Sequence, residues 1–491
     1  ALSSAASDVY KRQTNDPTTF KNRSTPAPST RSMACKAQTS GRIYLHSGPR
    51  TELHEIIRQE YARHQDRAVP RNTLRQAVQG MLDTFAYQNF DAAAGEYTNR
   101  CCRPPRETEM RPWRLVTEIG WTGGGVLAYP LVLCRDALGA DAEAPLAAAM
   151  SGEQLFDRIA DAYNENSGLL NDLMAPNAAG SQVNGWWTGY GLVKDCHCAY
   201  TVGSAVHYLT KTMDYLHQNG KPCPAKWMDA AQKVLHTVMD LQRADGAFGY
   251  TYSTQECKVL DWSGFAGCWF APALVYLYRL TGEERCLHSA EKALDYYHTF
   301  VKDLNCYGTP MDTWKAVDEE GNLAFMRGSR LLYEQTGKAE FLQYMKDSAG
   351  YEFLWRYGYK TYPEHTPLNQ GWSACGGAVT SVSNPHIHPM GVIIDTDLRY
   401  LARVTGDGYY ASRAADSAAW MLQCLELYPA ATGYGRYGIL SERWCPSDGL
   451  DVERFSDGRP FSSWFSHNLW ASACVLEAAC ELLLESEHKK G

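Results

Sequence analysis

The sequence has no excess of positive charge and no long apolar run. Its 47 Lys and Arg against 55 Asp and Glu give a formal net charge of −8, which disfavours neutralisation of phosphates and so a nucleic-acid partner. A membrane-spanning helix needs about 18 consecutive apolar residues, whereas the richest apolar stretch, residues 126–132, is soon followed by Arg135 and Asp136. The remaining composition, 45% hydrophobic and 21% charged over 491 residues, is typical of a large soluble globular protein.

The cysteines lack the paired spacing of a disulfide-stapled domain. The chain has 16 of them, scattered apart from Cys101-Cys102 and the Cys196-x-Cys198 pair, and it is long enough to build its own core. Reduced thiols, together with residues 1–32 that lack a secretory leader, predict a cytoplasmic location. A native leader lost upstream would make it periplasmic.

Residues 1–13 resemble a translated sequencing adapter of the kind found in metagenomic genes. We therefore expect residues 1–40 to be a non-native or disordered leader. Residues 41–491 are expected to form a single domain.

Three segments share one pattern, in which an apolar run ends in Thr-Gly. Residues 273–282, 328–337 and 395–406 end in Thr281-Gly282, Thr336-Gly337 and Thr405-Gly406. Glycine supplies the left-handed residue that commonly terminates a helix. An amphipathic run follows each pair, so the sequence predicts a repeated unit of two helices.

This alternation extends over the whole domain. The first helix of each unit is apolar nearly all round and should be buried, while the second has one polar face. The buried helices are predicted near 119–137, 197–217, 261–281, 320–336, 388–405 and 462–485. The amphipathic helices are predicted near 71–88, 152–163, 225–243, 285–303, 338–355 and 408–426. Six inner helices surrounded by six outer ones make an all-α fold, the (α/α)6 barrel.

Long loops indicate which end of the barrel is functional. The links from outer to inner helices run to about 16–35 residues, far above the usual length for packed helices. They emerge where the inner helices begin, which we call the barrel mouth. These loops also carry nine tryptophans, whose rings could stack on sugar rings or simply pack the loops together. The tryptophans are Trp113, Trp121, Trp186, Trp187, Trp262, Trp314, Trp372, Trp444 and Trp464.

Four carboxylates at the predicted starts of inner helices stand beside Trp or His: Glu118, Asp195, Asp261 and Asp312. Aspartate is also a favoured helix N-cap, which is the simpler explanation for any one of them. As a set they suit glycosidic cleavage, which needs one carboxyl group with a raised pKa as proton donor and one ionised partner.

Two of these segments resemble unsaturated glucuronyl hydrolases. The run Lys194-Asp195-Cys196-His197-Cys198 is similar to the His-Asp-Leu-Gly-Phe pattern at that family's second inner helix, with Lys194 in place of His and Cys196-His197 in place of Leu-Gly. Leu260-Asp261-Trp262, which continues to Thr281-Gly282, resembles their third inner helix. In architecture the likeness covers residues 70–485. The wider six-hairpin superfamily includes glycoside hydrolase family 154, with β-glucuronidase activity, which the chain also resembles.

The resemblance implies a glycoside hydrolase that removes a terminal β-linked glucuronic acid, or a related uronic acid, from oligosaccharides or glycosides. Asp261 would then be the proton donor, its pKa raised by aromatic and apolar neighbours, and Asp195 the partner carboxylate. Hydration of an unsaturated uronic acid would use the same two groups, so both reactions stay open.

Further residues are predicted to bind the substrate. A uronate carboxylate requires cationic groups or hydrogen-bond donors, which His197, Arg327 and the pair His386 and His388 could supply. The alternative for Arg327 is an ion pair with a carboxylate of the barrel. The other predicted substrate-binding residues are Glu118, Trp121, Trp262, Asp312, Trp314 and Trp464.

We expect neither a metal nor another cofactor. His386-x-His388 lacks a second ligand cluster at a recognisable spacing. Gly123-Gly124-Gly125 lacks the following Lys-Ser/Thr and the preceding strand of a phosphate-binding loop.

Three other functions remain open on the same barrel. A polysaccharide lyase could use Tyr190, Tyr200 or His197, and an epimerase of the N-acylglucosamine type could use His386 and His388. A non-catalytic barrel would only bind sugar. The expected partner is a uronic-acid-containing oligosaccharide or glycoside, without nucleic acid or membrane, and monomer and homo-oligomer both stay open.

Overall fold

The computed structural model describes residues 44, 47–48, 52–64, 67–101, 111–114, 118–121, 123–173, 185–188, 191–309, 315–361, 371–382, 384–427, 438, 440–446 and 466–488. The predictions for Asp312, Trp314 and Trp464 fall outside these residues.

Twelve of the described helices form an (α/α)6 barrel, as predicted. The inner helices are α3 (Gly125–Leu138), α6 (Ala199–Gln218), α8 (Phe270–Thr281), α10 (Glu320–Thr336), α12 (Asp395–Thr405) and α14 (Leu469–His488). The outer helices are α2 (Leu74–Thr84), α5 (Gly152–Asp161), α7 (Ala225–Asp240), α9 (Glu284–Lys302), α11 (Ala339–Trp355) and α13 (Gly408–Cys424). Two further helices, α1 (Leu53–Arg63) and α4 (Glu143–Ala148), lie outside the alternation.

The two kinds of helix bury different shares of their surface. All but two of the residues of α3 are buried, whereas α9 buries one face, with Leu287, Ala290 and Leu294 inside. The last inner helix, α14, packs against α3 and α2, which closes the ring. Among the described residues, no helix combines the length and apolar character that crossing a membrane would need.

The Thr-Gly pairs end inner helices by one repeated geometry. Gly282, Gly337 and Gly406 adopt left-handed φ angles of 72°, 66° and 70°. The preceding threonine hydroxyl donates to the carbonyl four residues earlier, as from Thr336 to Leu332 at 2.8 Å, and accepts from the amide two residues later. Each helix end therefore gains partners for groups that would otherwise lack them.

Four inner helices begin six to nine residues later than predicted, at residues 125, 270, 395 and 469 rather than 119, 261, 388 and 462. The segments before them form 3-10 turns and short strands, such as Ala266–Trp269 and Met390–Ile394. Gly264, at a φ of 151°, and Gly124, whose added Cβ would clash with Ile119 O, interrupt the helical path.

The described strands are short and lie in the connections. They are β1 (Phe90–Asp91), β2 (Glu96–Tyr97), β3 (Asn99–Cys101), β4 (Arg111–Arg114), β5 (Tyr163–Asn164), β6 (Leu169–Leu170), β7 (Gly185–Thr188), β8 (Gly191–Lys194), β9 (Cys196–Cys198), β10 (Thr251–Ser253), β11 (Val259–Asp261), β12 (Ala378–Ser381), β13 (Asn384–His388) and β14 (Ser466–His467). All pair antiparallel, and two sheets have three strands, in the orders β11-β10-β9 and β14-β3-β4.

Candidate active site at the barrel mouth

Six side chains, one from the start of each inner helix or the segment before it, lie together at the barrel mouth. We call them the mouth cluster. They are Trp121, Tyr200, Trp269, Glu320, His388 and Trp470. Trp121 is partly exposed, and the others are buried.

Ring contacts connect the cluster from one helix to the next. His388 stacks on Trp470 at a centroid distance of 6.0 Å, and Trp470 stacks on Trp121 at 4.7 Å. Tyr200 lies 5.3 Å from Trp121 and 5.7 Å from Trp269. The cluster is therefore a nearly continuous row of packed rings, in which Trp121 is the partly exposed member that a sugar ring could stack on.

Glu320 supplies the carboxylate of the mouth cluster. Burial raises the pKa of Tyr200 well above its usual value, and so do the charge of Glu320 and the hydrogen bond between the two side chains. Glu320 itself is 4% exposed. Sequence reasoning missed it, although the run Asp318-Glu319-Glu320 at the predicted start of an inner helix was visible.

The histidines of the fifth unit lie partly as predicted. His388 belongs to the mouth cluster, and its Nδ1 lies 2.9 Å from the carbonyl oxygen of His386. Burial, and then the charge of Arg443, holds the pKa of His388 well below its usual value. His388 is thus a neutral imidazole at physiological pH, while His386 is buried beside it on β13.

Asp261 lies at the end of β11 and is not a helix N-cap. Its side chain, 33% exposed, accepts from Lys315 Nζ at 2.6 Å and from the Ser263 amide at 2.8 Å. Burial alone would raise the pKa of Asp261, but these hydrogen bonds hold it below its usual value. The predicted elevation of this pKa is therefore wrong, because Lys315 stabilises the ionised form.

The β11-β10-β9 sheet keeps Asp195 and Asp261 apart. Asp261 lies level with Thr251, whereas the carbonyl oxygen of Asp195 accepts from the Thr254 amide. Two strand spacings and three residues along the strand separate the aspartates, so their Cα atoms are about 14 Å apart. Asp195 is exposed, with a left-handed φ of 58°. The sheet does not bring the predicted pair together.

His197 is buried and makes none of the ring contacts of the mouth cluster, although it was predicted to bind substrate at the barrel mouth. Its Nδ1 lies 2.9 Å from Asp172 Oδ1, and its Nε2 lies 2.9 Å from Ser167 Oγ. This is the geometry of an acyl-transfer triad, but none of the three residues is more than 1% exposed. We correct the assignment: both ring nitrogens of His197 have protein partners, and the side chain joins β9 to Asp172 and to the turn between β5 and β6.

Arg327 lies in the barrel interior. Its Nε contacts Asp397 Oδ2 at 2.8 Å, and its Nη2 donates to the Ile393 carbonyl at 2.9 Å. Two turns of α10 separate it from Glu320. The alternative explanation, an ion pair with a barrel carboxylate, is therefore the right one.

The tryptophans and Glu118 divide between mouth and core. Trp262 is outside the mouth cluster: the guanidinium carbon of Arg243 lies over its ring, 5.2 Å from the ring centroid. Trp186, Trp372 and Trp444 are at most 3% exposed and pack in the core. Glu118 is also buried, in the turn that leads to Trp121. The side chains of Trp113 and Trp187 are outside the described set.

Among the described residues, no three His, Cys, Asp or Glu side chains converge as a metal site. The absence of a metal stays a prediction.

No family model and no curated protein matches the chain. Solved structures match its fold. A family 76 glycoside hydrolase (mannosidase) from Bacteroides thetaiotaomicron is similar at a TM-score of 0.52 and 14% identity, over 84% of this chain and 99% of that one. A D-mannose isomerase has the same TM-score at 11% identity, over 84% and 97%. Cellobiose 2-epimerase from Spirochaeta thermophila has a TM-score of 0.51 at 12% identity, over 90% and 100%.

These likenesses identify the fold. The narrower resemblance to unsaturated glucuronyl hydrolases and to family 154 stays a prediction.

Proposed function

We propose that the chain is a glycoside hydrolase that removes a terminal β-linked glucuronic acid from oligosaccharides or glycosides. The observation that carries the hydrolase proposal is the mouth cluster, in which the buried carboxylate Glu320 is hydrogen-bonded with Tyr200 of the packed aromatic rings. The fold agrees with it, since one of the similar structures is a glycoside hydrolase.

The roles of the carboxylates follow from their surroundings. Glu320 is our candidate proton donor, because its carboxyl group is buried at the barrel mouth and hydrogen-bonded with Tyr200. Asp261 is ionised through Lys315 and suits the partner that stabilises a developing positive charge. Asp195, predicted from the sequence as the partner carboxylate, has its Cα about 14 Å from that of Asp261 and is given no catalytic role in this proposal.

The uronic-acid preference rests on cations at the mouth. Arg443 lies close enough to His388 to lower its pKa, and Lys315 lies beside Asp261. A hydrogen bond to a charged group contributes about 1.5–3 kcal/mol, which a neutral glucoside would not gain from these cations. Two donors predict at least about 100-fold discrimination.

The test compares p-nitrophenyl β-glucuronide with the β-glucoside, using the purified chain. The glucuronide should be cleaved at least about 100-fold faster at low substrate concentration, and Arg443→Gln should reduce the ratio. Equal rates would refute the uronic-acid preference and leave the hydrolase proposal standing. Inactivity on both, with turnover of an unsaturated uronic disaccharide, would favour hydration of the double bond. A new ultraviolet-absorbing chain end formed without added water would favour a lyase.

One observation favours a second candidate, a sugar epimerase or isomerase. His388 is neutral at physiological pH and belongs to the mouth cluster, so it could accept a proton from a sugar carbon. Two of the similar structures are an isomerase and an epimerase of sugars. Deuterium incorporation from D2O into cellobiose or mannose, without hydrolysis, would identify this activity.

A further inference from the structure

A cavity of about 380 Å³ lies outside the barrel mouth, between α1 and the C-terminal end of α11. We call it the rim cavity. Its walls include Tyr61 of α1, Phe353 and Trp355 of α11, Tyr359, and Arg413 of α13. Its volume falls within the range of small-molecule sites. None of the functional residues considered above lines it.

The β12–β13 hairpin separates the rim cavity from the mouth cluster. Val379, which lines the cavity, pairs with Ile387, while the neighbouring Ala378 pairs with His388. Successive side chains of a strand point to opposite faces. Val379 and His388 therefore lie on opposite faces of one hairpin, and the rim cavity is not an extension of the mouth.

Arg413 is a buried cation at the wall of the rim cavity. It is 1% exposed, with its guanidinium carbon 4.3 Å from the Phe353 centroid and 4.8 Å from the Tyr61 centroid. Its Nη2 donates to the Arg356 carbonyl at 2.7 Å and its Nη1 to the Tyr409 hydroxyl at 3.4 Å, while its Nε has no hydrogen-bond partner. Burial lowers the pKa of Arg413, which is the direction expected for an uncompensated charge.

The acidic groups nearby are engaged by other cations. Arg356 pairs with Glu352 and Asp395, and Asp416 accepts from Arg67 at 2.8 Å and from the Tyr61 hydroxyl at 2.6 Å. Glu60, at the cavity wall, pairs with Arg63. Among the described residues Arg413 forms no ion pair with a carboxylate, and a buried cation without one is costly unless something else supplies the charge.

We propose that the rim cavity binds a small organic anion that consists of one ring bearing a carboxylate. The carboxylate would lie beside Arg413, and the ring would pack against the aromatic walls. The outer wall suits this, because Tyr359 is 46% exposed and Leu354 is 37% exposed, and Tyr357 supports Tyr359 at a centroid distance of 5.4 Å. A uronic acid and an aromatic carboxylate share this chemistry.

The experiment is calorimetric titration of the purified full chain with two matched pairs of probes. Sodium D-glucuronate is compared with D-glucose, and sodium benzoate with benzyl alcohol. At least one anion should bind saturably, with an affinity about tenfold or more higher than that of its neutral counterpart. The pair of probes that shows this difference indicates whether the ring is a sugar or an aromatic ring. Arg413→Gln should abolish this difference, and Arg413→Lys should retain part of it.

Tyr359→Ala tests the same site at an exposed position, where folding is not at risk. It should weaken anion binding about tenfold through loss of ring stacking, whereas Tyr87→Ala, a matched change at a tyrosine 58% exposed elsewhere, should not. His388→Ala separates the two sites: it should leave binding at the rim cavity unchanged whatever it does to turnover.

No saturable binding of either anion up to about 10 mM would overturn the proposal. So would binding that is insensitive to both Arg413→Gln and Tyr359→Ala. Neither result depends on turnover, so failure of the hydrolase proposal is a separate outcome.

Discussion

At the scale of single residues, neighbours decided the role of each predicted group. Arg327 and His197 are the types of residue that bind a carboxylate, yet each has a buried carboxylate of the protein as partner, Asp397 and Asp172. Glu320, which no sequence motif singled out, contacts the aromatic cluster. The residue type restricted the roles that each side chain could have, and its neighbours in the folded structure determined which role it has.

His197→Ala tests the structural role of this histidine. Removing the imidazole leaves Asp172 buried without its main partner, so we expect about 3 kcal/mol of destabilisation, measured by urea denaturation. Turnover per folded molecule should be unchanged, as it should for the exposed control His288→Ala. A rise in the KM of the folded variant would instead indicate that His197 contacts the substrate.

Glu320→Gln tests the proton donor. The amide keeps the size of the side chain and its contact with Tyr200 but cannot donate the proton, so turnover should fall by about 10²–10⁴-fold with little change in sugar binding. Glu284→Gln, at an exposed position in the first turn of α9, is the control. Near-normal turnover would exclude Glu320 and make Asp261→Asn the next variant to measure.

At the scale of elements, the left-handed glycines set where inner helices end. A Cβ on Gly337 would meet no atom within 4 Å, so the only penalty of substitution is the φ angle of 66°. Gly337→Ala should therefore destabilise the protein by about 1–2 kcal/mol with unchanged turnover.

Gly408→Ala is the matched control, because Gly408 is equally uncrowded but lies in α13 without a positive φ. It should be neutral or stabilise the protein by up to about 1 kcal/mol. Equal melting temperatures for the two variants would contradict the cap explanation.

At the scale of the whole molecule, a buried ionic network lies inside the barrel beneath the mouth cluster. Lys211 of α6 contacts Glu477 at 2.5 Å and Glu481 at 2.7 Å, both on α14. Arg327 and Arg330 of α10 share Asp397 of α12. Inner helices distant in sequence are thus joined by charge as well as by apolar packing.

Glu481 makes this network sensitive to acid. Burial alone would raise its pKa, but Lys211 and Arg327 lower it to about 2, below the unfolded value of about 4.3. Its contribution is therefore present above about pH 4 and is lost as the pH falls towards 2. Glu481→Gln should make the free energy of unfolding less dependent on pH in that window, as measured by denaturant titration at several pH values. Parallel curves for the variant and the wild type would refute this.

The barrel could be predicted from sequence because its elements are defined locally. Helical spacing of apolar residues and the Thr-Gly endings predicted all six pairs, with most outer-helix boundaries within a few residues. The starts of inner helices were less predictable. β9 and β14 pair with segments distant in sequence, and no local pattern encodes such a partner, while β11 and β13 belong to local hairpins that precede their helices.

The sequence by itself determined the fold class, the alternation of buried and amphipathic helices, and the barrel end that carries the aromatic residues. Periodicity and helix termination act over a few residues, so they can be inferred without coordinates. Only the tertiary structure decided that Trp121, Glu320 and His388 lie together and that Lys315 holds Asp261 ionised. It also placed Arg413 at a second cavity. Ion pairing, burial and pKa depend on atoms brought within a few ångströms from hundreds of residues away, and closure of the ring creates those contacts.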